Sequence, residues 1–166
     1  MRVMGVDCGS EYTGYGVVEG DGRSLACLAT GAIRLATRDA LELRLKRVFD
    51  ELSALMAEHR PEVVAIEDVF YSVNAKSALK LGHVRGVAMM AAAQQDLPVA
   101  AYAPLAIKSA VTGYGRAEKP QVQAMVMRLL RLDELPQPAD AADALAIAIC
   151  HIHTAATLHR QSAAQK

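Results

Sequence analysis

The stretch Arg2-Val3-Met4-Gly5-Val6-Asp7-Cys8-Gly9-Ser10 opens the chain, and Thr13-Gly14-Tyr15-Gly16-Val17-Val18 follows it closely. Val3, Met4 and Val6 predict a buried strand, and the apolar run stops at a carboxylate. A carboxylate at the inner end of a buried strand is costly unless it is paired, hydrogen-bonded or bound to a cation. The plainer reading of Asp7 is a turn cap bonded to its own backbone. This segment alone does not choose between the two.

Working outward, residues 14–19 predict a second strand, Gly20-Asp21-Gly22 a hairpin turn, and 24–33 a third strand. Three strands joined so tightly make an antiparallel meander. Leu41, Leu45, Val48, Phe49, Leu52, Leu55 and Met56 recur at helical spacing, which predicts an amphipathic helix over 40–58 that ends at Pro61. Then Val63-Val64-Ala65-Ile66-Glu67-Asp68 repeats the opening pattern: a β-branched run that stops at carboxylates. A strand after a helix favours a parallel, doubly buried position. Beside the first strand it would bring Glu67 toward Asp7, with Asp68 on the other face because strand side chains alternate. The competing reading of Glu67 is a solvated strand end.

Val69-Phe70-Tyr71-Ser72-Val73 places aromatic residues in a loop of a chain with only 4% aromatics. Either they pack on the core or they offer Phe70 and Tyr71 as stacking surfaces for unpaired bases. Asn74 suits the cap of a long helix over 74–94, on which Lys76, Lys80 and His83 share one face. Such a stripe is usually a solvated face, but directly after an acidic strand end it becomes a candidate for phosphate contacts. Gly82 and Gly86 would admit a neighbouring helix. The Ala/Met-rich stretch 88–93 is oddly apolar for a free surface, unless it packs on its own sheet. Residues 98–102 predict a fifth strand, and Pro104 opens a short helix carrying Lys108. The turn Gly113-Tyr114-Gly115-Arg116 precedes a helix that starts at Lys119-Pro120. Taken alone, Lys108 and Lys119 read as surface cations.

Pro136-Gln137-Pro138 forbids helix, and Asp140-Ala141-Ala142-Asp143 then starts one abruptly. Capping and dipole complementation explain one of these acids. They explain less well two acids on one face of an otherwise apolar helix. His151 and His153, two apart, point in different directions and make poor joint metal ligands.

Composition sets the outer bounds. With 166 residues the chain suits one domain over 1–160 with a frayed tail over 161–166. At 52% hydrophobic and 22% charged residues it is globular rather than disordered. Zero net charge gives no global pull toward nucleic acid, which leaves any attraction to a local basic face. Cys8, Cys27 and Cys150 are odd in number and lack metal-ligand spacing, as for reduced thiols in the cytoplasm. The opening residues do not form a secretory signal pattern, so a cytoplasmic, non-membrane protein is expected.

Acids thus stand at three separated element ends: Asp7, Glu67, and Asp140 with Asp143. Two carboxylates at ~4 Å repel by roughly 4 kcal/mol at a near-surface dielectric, so four together require protonation or divalent cations. All-oxygen donors favour Mg²⁺ or Mn²⁺ over Zn²⁺. Two such ions suit phosphodiester cleavage by an activated water.

On these segments the chain resembles the RuvC family of bacterial Holliday junction resolvases over essentially its whole length. The resemblance is carried by Gly5-Val6-Asp7, Gly9-Ser10, Thr13-Gly14-Tyr15-Gly16, Ile66-Glu67, Val69-Phe70, Asn74-Ala75, Ser77 to Gly82, Arg85-Gly86, Ala117-Glu118-Lys119 and Ala139 to Ala146, in that order. It implies an α/β, ribonuclease H-like fold with a five-stranded mixed sheet flanked by helices. It also implies a homodimer that cuts four-way junction DNA with Mg²⁺ or Mn²⁺, two ions per site, in partnership with a RuvA–RuvB branch-migration complex. Asp7, Glu67, Asp140 and Asp143 match the family's catalytic, metal-holding acids. Phe70 matches its junction-stacking aromatic, and Lys108 and Lys119 match basic positions near the scissile phosphate. Tyr71, Lys76, Lys80 and Arg116 are further candidate DNA contacts. The chain departs from the pattern at Cys8, where the family usually has Pro. Asp7-x-Gly with Ser/Thr also resembles the phosphate loop of actin-like ATPases and sugar kinases, which need two such domains. A third class, a junction-binding module without chemistry, has no use for four acids at one site.

Overall fold

The computed structural model describes residues 1–68 and 75–164, the side chains of 75, 76 and 164 excepted. β1 (Arg2–Cys8), β2 (Tyr12–Gly20) and β3 (Leu25–Arg34) form the antiparallel meander, with Asp7 opposite Gly14 and Thr13 opposite Ile33. α1 (Leu41–His59) returns the chain so that β4 (Val63–Glu67) runs parallel to β1, with Val6 opposite Ile66. After α2 (Ala75–Ala93), β5 (Val99–Tyr102) adds parallel to β4, giving the order β3-β2-β1-β4-β5. α3 (Pro104–Thr112), α4 (Lys119–Leu130) and α5 (Ala139–Ala164) complete the chain. This is the five-stranded mixed sheet and ribonuclease H-like arrangement that the resemblance implied.

The unbroken apolar run of β4 follows from its central place, where both faces are covered. Val63 and Ala65 join a core with α3, α4 and α5, while Val64 and Ile66 join a second core with α1 and α2. The same alternation sends Val3 to the first core and Met4 and Val6 to the second. α5 lies directly on the sheet because two glycines give way to it. A Cβ at Gly5 would stand 2.0 Å from the Ala144 carbonyl oxygen, and one at Gly14 2.0 Å from that of Asp140. α5 is long and apolar enough by composition to cross a bilayer. Here that apolarity lines the core, with Leu145, Ile147, Ile149 and Ile152 at most 2% exposed.

Three local expectations change. α1 ends with Arg60 in the left-handed conformation, its N–H bonded to the Met56 carbonyl, one residue before Pro61. α5 continues as helix to Ala164, past residue 160, where a tail was expected to begin. In α2 the stretch 88–93 divides by helical period rather than facing outward as a block. Ala88, Ala91 and Ala92 are buried in the chain's own core, while Met89 and Met90 lie outside. Cys8 extends the ladder opposite Thr13, and burial pushes its thiol up to about 12, which keeps it protonated.

Candidate active site

The parallel strands β1 and β4 end side by side, and their last inward residues are Asp7 and Glu67. Val3 on β1 and Val63 and Ala65 on β4 face α5, so Asp7 and Glu67, an even number of positions along, face it too. Tyr102 stands opposite Glu67 on the neighbouring β5. Asp68 turns to the other face, where its carboxylate pairs with the Arg85 guanidinium at 3.2 Å. Arg85 Nε also donates to the Glu67 carbonyl at 3.4 Å, so α2 ties down the end of β4.

The first turn of α5 supplies Asp140 and Asp143, and the absent side chain at Gly14 brings that turn onto β2. The loop after β1 lies against Asp140: a Cβ at Gly9 would be 3.1 Å from its Oδ1. Lys119 Nζ, from the start of α4, donates to Asp143 Oδ2 at 2.6 Å. Asp7, Glu67, Asp143, Lys108 and Lys119 line one cleft of about 210 Å³, walled by Pro104, Ile107 and Val122. Asp140 is adjacent to that lining rather than in it. Arg116, in the turn before α4, and Lys80, on α2, are exposed and outside the cleft. Phe70, Tyr71 and the Lys76 side chain lie outside the described residues.

The electrostatics show how close the acids are. Burial, followed by the charges of Asp143, Glu67 and Asp140, pushes Asp7 from its ordinary 3.8 up to about 7, with Lys119 opposing. Glu67 is also raised, first by burial and then by Asp143, against the pull of Lys108 and Lys119. Lys119 is held above its ordinary value chiefly by its hydrogen bond to Asp143. Among the described residues, no three His, Cys, Asp or Glu side chains are drawn together as a ready metal cage. Asp143 turns toward the Lys119 ammonium instead. The donor chemistry nevertheless fits a hard divalent cation: every acid offers oxygen, and the group is short of positive charge.

His151 and His153 are struts. The Tyr102 hydroxyl meets His151 Nδ1 at 2.8 Å with the rings edge to face, joining α5 to the strand beside Glu67. His153 Nδ1 donates to the Ala110 carbonyl at 2.9 Å and joins α5 to the helix carrying Lys108. Sequence reasoning missed Arg85 as a support for the site. The available signal was a lone cation two turns into an apolar helix face, following the acidic strand end.

A family model described as crossover junction endodeoxyribonuclease RuvC matches residues 3–151. A protein of that description from Koribacter versatilis is 68% identical over 164 residues, covering 98% of this chain and 99% of that one. The Thermus thermophilus RuvC structure superposes with a TM-score of 0.87 at 35% identity, covering 95% of this chain and 96% of that chain. The structure of T. thermophilus RuvC in complex with Holliday junction substrate matches with the same TM-score and coverage at 32% identity.

Proposed function

The chain belongs to the RuvC family of crossover junction endodeoxyribonucleases and is a Holliday junction-resolving nuclease, and from that premise we propose that Asp7, Glu67, Asp140 and Asp143 form its divalent-cation site. The observation that carries this reading is the convergence of Asp7, Glu67 and Asp143 on one cleft beside Asp140, where burial and then the other three acids raise Asp7 to about 7. Mg²⁺ or Mn²⁺ ions held there, two per site, would activate a water and stabilise the leaving oxygen. The protein's own residues do the rest. Asp7 and Glu67 are fixed by the sheet, Asp140 and Asp143 by the helix packed on it, so the donors keep their places as the phosphate enters. Lys119 orients Asp143 and, with Lys108, presents positive charge to the phosphate oxygens. Ile107, Val122 and Pro104 form a low-dielectric wall behind them. Phe70 is proposed to stack on bases at the crossover, with Tyr71, Lys76, Lys80 and Arg116 as outer DNA contacts. Residues 1–160 are proposed as one cytoplasmic nuclease domain that works with a RuvA–RuvB complex. The direct test is a labelled four-way junction and a duplex control, each with Mg²⁺, Mn²⁺ or chelator. Paired cuts in the junction that vanish with chelator are expected. Metal-independent cutting would refute the acid site.

Asp7 also sets a pH dependence. Its folded value, about 7, lies above its ordinary 3.8, so the folded state keeps a proton that the unfolded chain releases between those values. The stability this contributes is present below about pH 4 and is lost as pH rises through 7. A cation bound by the ionised acids offsets that loss. Mg²⁺ should therefore raise the Tm clearly at pH 8 and little at pH 5. Equal increments at both pH values would remove the acid cluster as the binding site.

Each chain carries one acid set, whereas two matched cuts need two, which supports a C₂ dimer. The outward line of α2 fits the contact. A Cβ at Gly82 or Gly86 would meet nothing within 4 Å, and Leu79 and Met90 are 63% and 66% exposed. With Leu45 and Phe49 of α1, the two glycines and Met90 border a groove of about 590 Å³. Gly86→Glu leaves the chain's own packing untouched, so it should fold normally and sediment as a monomer. A variant that stayed dimeric would move the interface elsewhere.

A further inference from the structure

Four arginines gather where β3 ends and α1 begins, and the site described above uses none of them. Arg34, Arg38 and Arg47 border one concavity of about 390 Å³ together with Ala36 and Thr37. Arg44, one turn before Arg47, donates through NH2 to the Ser10 carbonyl at 2.5 Å, in the loop that follows Asp7. Arg34 stands opposite Tyr12 and Thr13 stands opposite both Cys8 and Ile33, which puts the end of β3 at the same end of the sheet as the acids.

The positive charge there is incompletely balanced. Arg47 is paired with Glu51 at 2.6 Å, whereas Arg38, with its side chain 92% exposed, reaches only its neighbour Asp39 at 3.9 Å. Arg34 has no acidic partner among the described residues. With Arg47 paired and Arg38 only loosely matched, the hollow keeps a local excess of positive charge in a chain of zero net charge. Their forked donors match phosphate oxygens.

We propose that Arg34, Arg38 and Arg47 form a phosphate-binding subsite that holds the backbone of a junction arm on the β3 side of the acidic cleft. This rests on the nuclease reading above and extends it. Lys108 and Lys119 border the cleft toward β5. The arginines line a separate hollow beyond β2 at the β3 edge, where Arg47 reaches in from α1 on the face of the sheet opposite α5, so an arm leaving the cleft across that edge meets a second patch of positive charge. β3 lies two strands from β1 and three from β4. At ~4.8 Å per strand that is about 10–15 Å, or about three to four base pairs of rise at ~3.4 Å each. The subsite therefore contacts phosphates several nucleotides from the cut and carries no base preference.

The test compares Arg34→Ala/Arg38→Ala with Arg23→Ala/Arg160→Ala, which removes the same charge at the opposite end, where the β2–β3 turn meets α5. There a Cβ at Gly22 would stand 2.4 Å from Ala156 Cβ. Junction affinity is measured against salt concentration for the dimer in Ca²⁺, and phosphate-ethylation interference is mapped on the arms. For the first variant, the slope of log K against log salt should become shallower by about 1–2. Interference should disappear at phosphates about three to four nucleotides from the cut. Cleavage at saturating protein should stay within about twofold of wild type. An unchanged slope, or an equal change in the control variant, overturns the subsite. Failure of the wild-type protein to cut junctions would instead overturn the nuclease reading, and the binding slopes report separately from it.

Discussion

Asp7→Asn is expected to fold, to bind four-way junctions with wild-type affinity in Ca²⁺, and to lose about 100-fold or more in cleavage rate, as when one preorganised electrostatic group is removed. The substitution keeps the volume of the side chain and removes the charge that burial and three neighbouring acids already resist. It should also raise the Tm of the metal-free protein at pH 8, because it relieves that repulsion. The two readouts move in opposite directions, which a residue that simply supports the fold cannot do. If each subunit of a dimer serves one strand, mixed dimers of wild-type and Asp7→Asn chains should convert a cruciform plasmid mainly to nicked circles. Linear product at the wild-type yield would mean that one site serves both strands. Wild-type cleavage by the homodimeric variant would end the four-acid reading.

Gly5→Ala is expected to lower the Tm by about 5–10 °C. The added Cβ would lie 2.0 Å from the Ala144 carbonyl oxygen and 2.8 Å from the Ala148 nitrogen. Both are backbone atoms of α5 and have no rotamer into which they can retreat, so helix and strand must separate. Overpacking of this kind costs about 1–3 kcal/mol or somewhat more, and each kcal/mol moves Tm by roughly 2–4 °C at this chain length. Separation also draws Asp140 and Asp143 away from Asp7, so cleavage should fall along with stability. A Tm within about 2 °C of wild type would show that α5 is not seated on β1 in this way.

The acids were legible because apolar strands announce their own ends. Val3 to Val6 and Val63 to Ile66 are buried on both faces, so a carboxylate after such a run stands out, although a turn cap or a solvated strand end stays open until the sheet order is known. Asp140 and Asp143 were legible for a related reason, since they sit in the first turn of a helix too apolar to be solvated. The positive residues gave no such contrast. Nothing in the sequence sets Arg34, Arg38 and Arg47 apart, and only tertiary folding puts them around one hollow. Arg85 was obscured by its place on α2 between Val84 and Gly86, where helical period alone cannot say that the end of β4 lies beneath it. The partition of residues 88–93 required knowing which side of α2 meets the sheet. The histidines were rightly separated by spacing, but their partners, Tyr102 and the Ala110 carbonyl, lie 49 and 43 residues away in sequence.

α5 is the last element of the chain, and it completes both the core over β1 and β2 and the acid set. During synthesis, the residues of the meander and β4 leave the ribosome well before Asp140. A nascent chain at that stage carries Asp7 and Glu67 on a sheet whose inner face has no cover and whose site lacks half its donors. If the four acids hold the cations as proposed, a chain that lacks residues from 139 onward cannot assemble the donor set, and cleavage awaits the docking of α5.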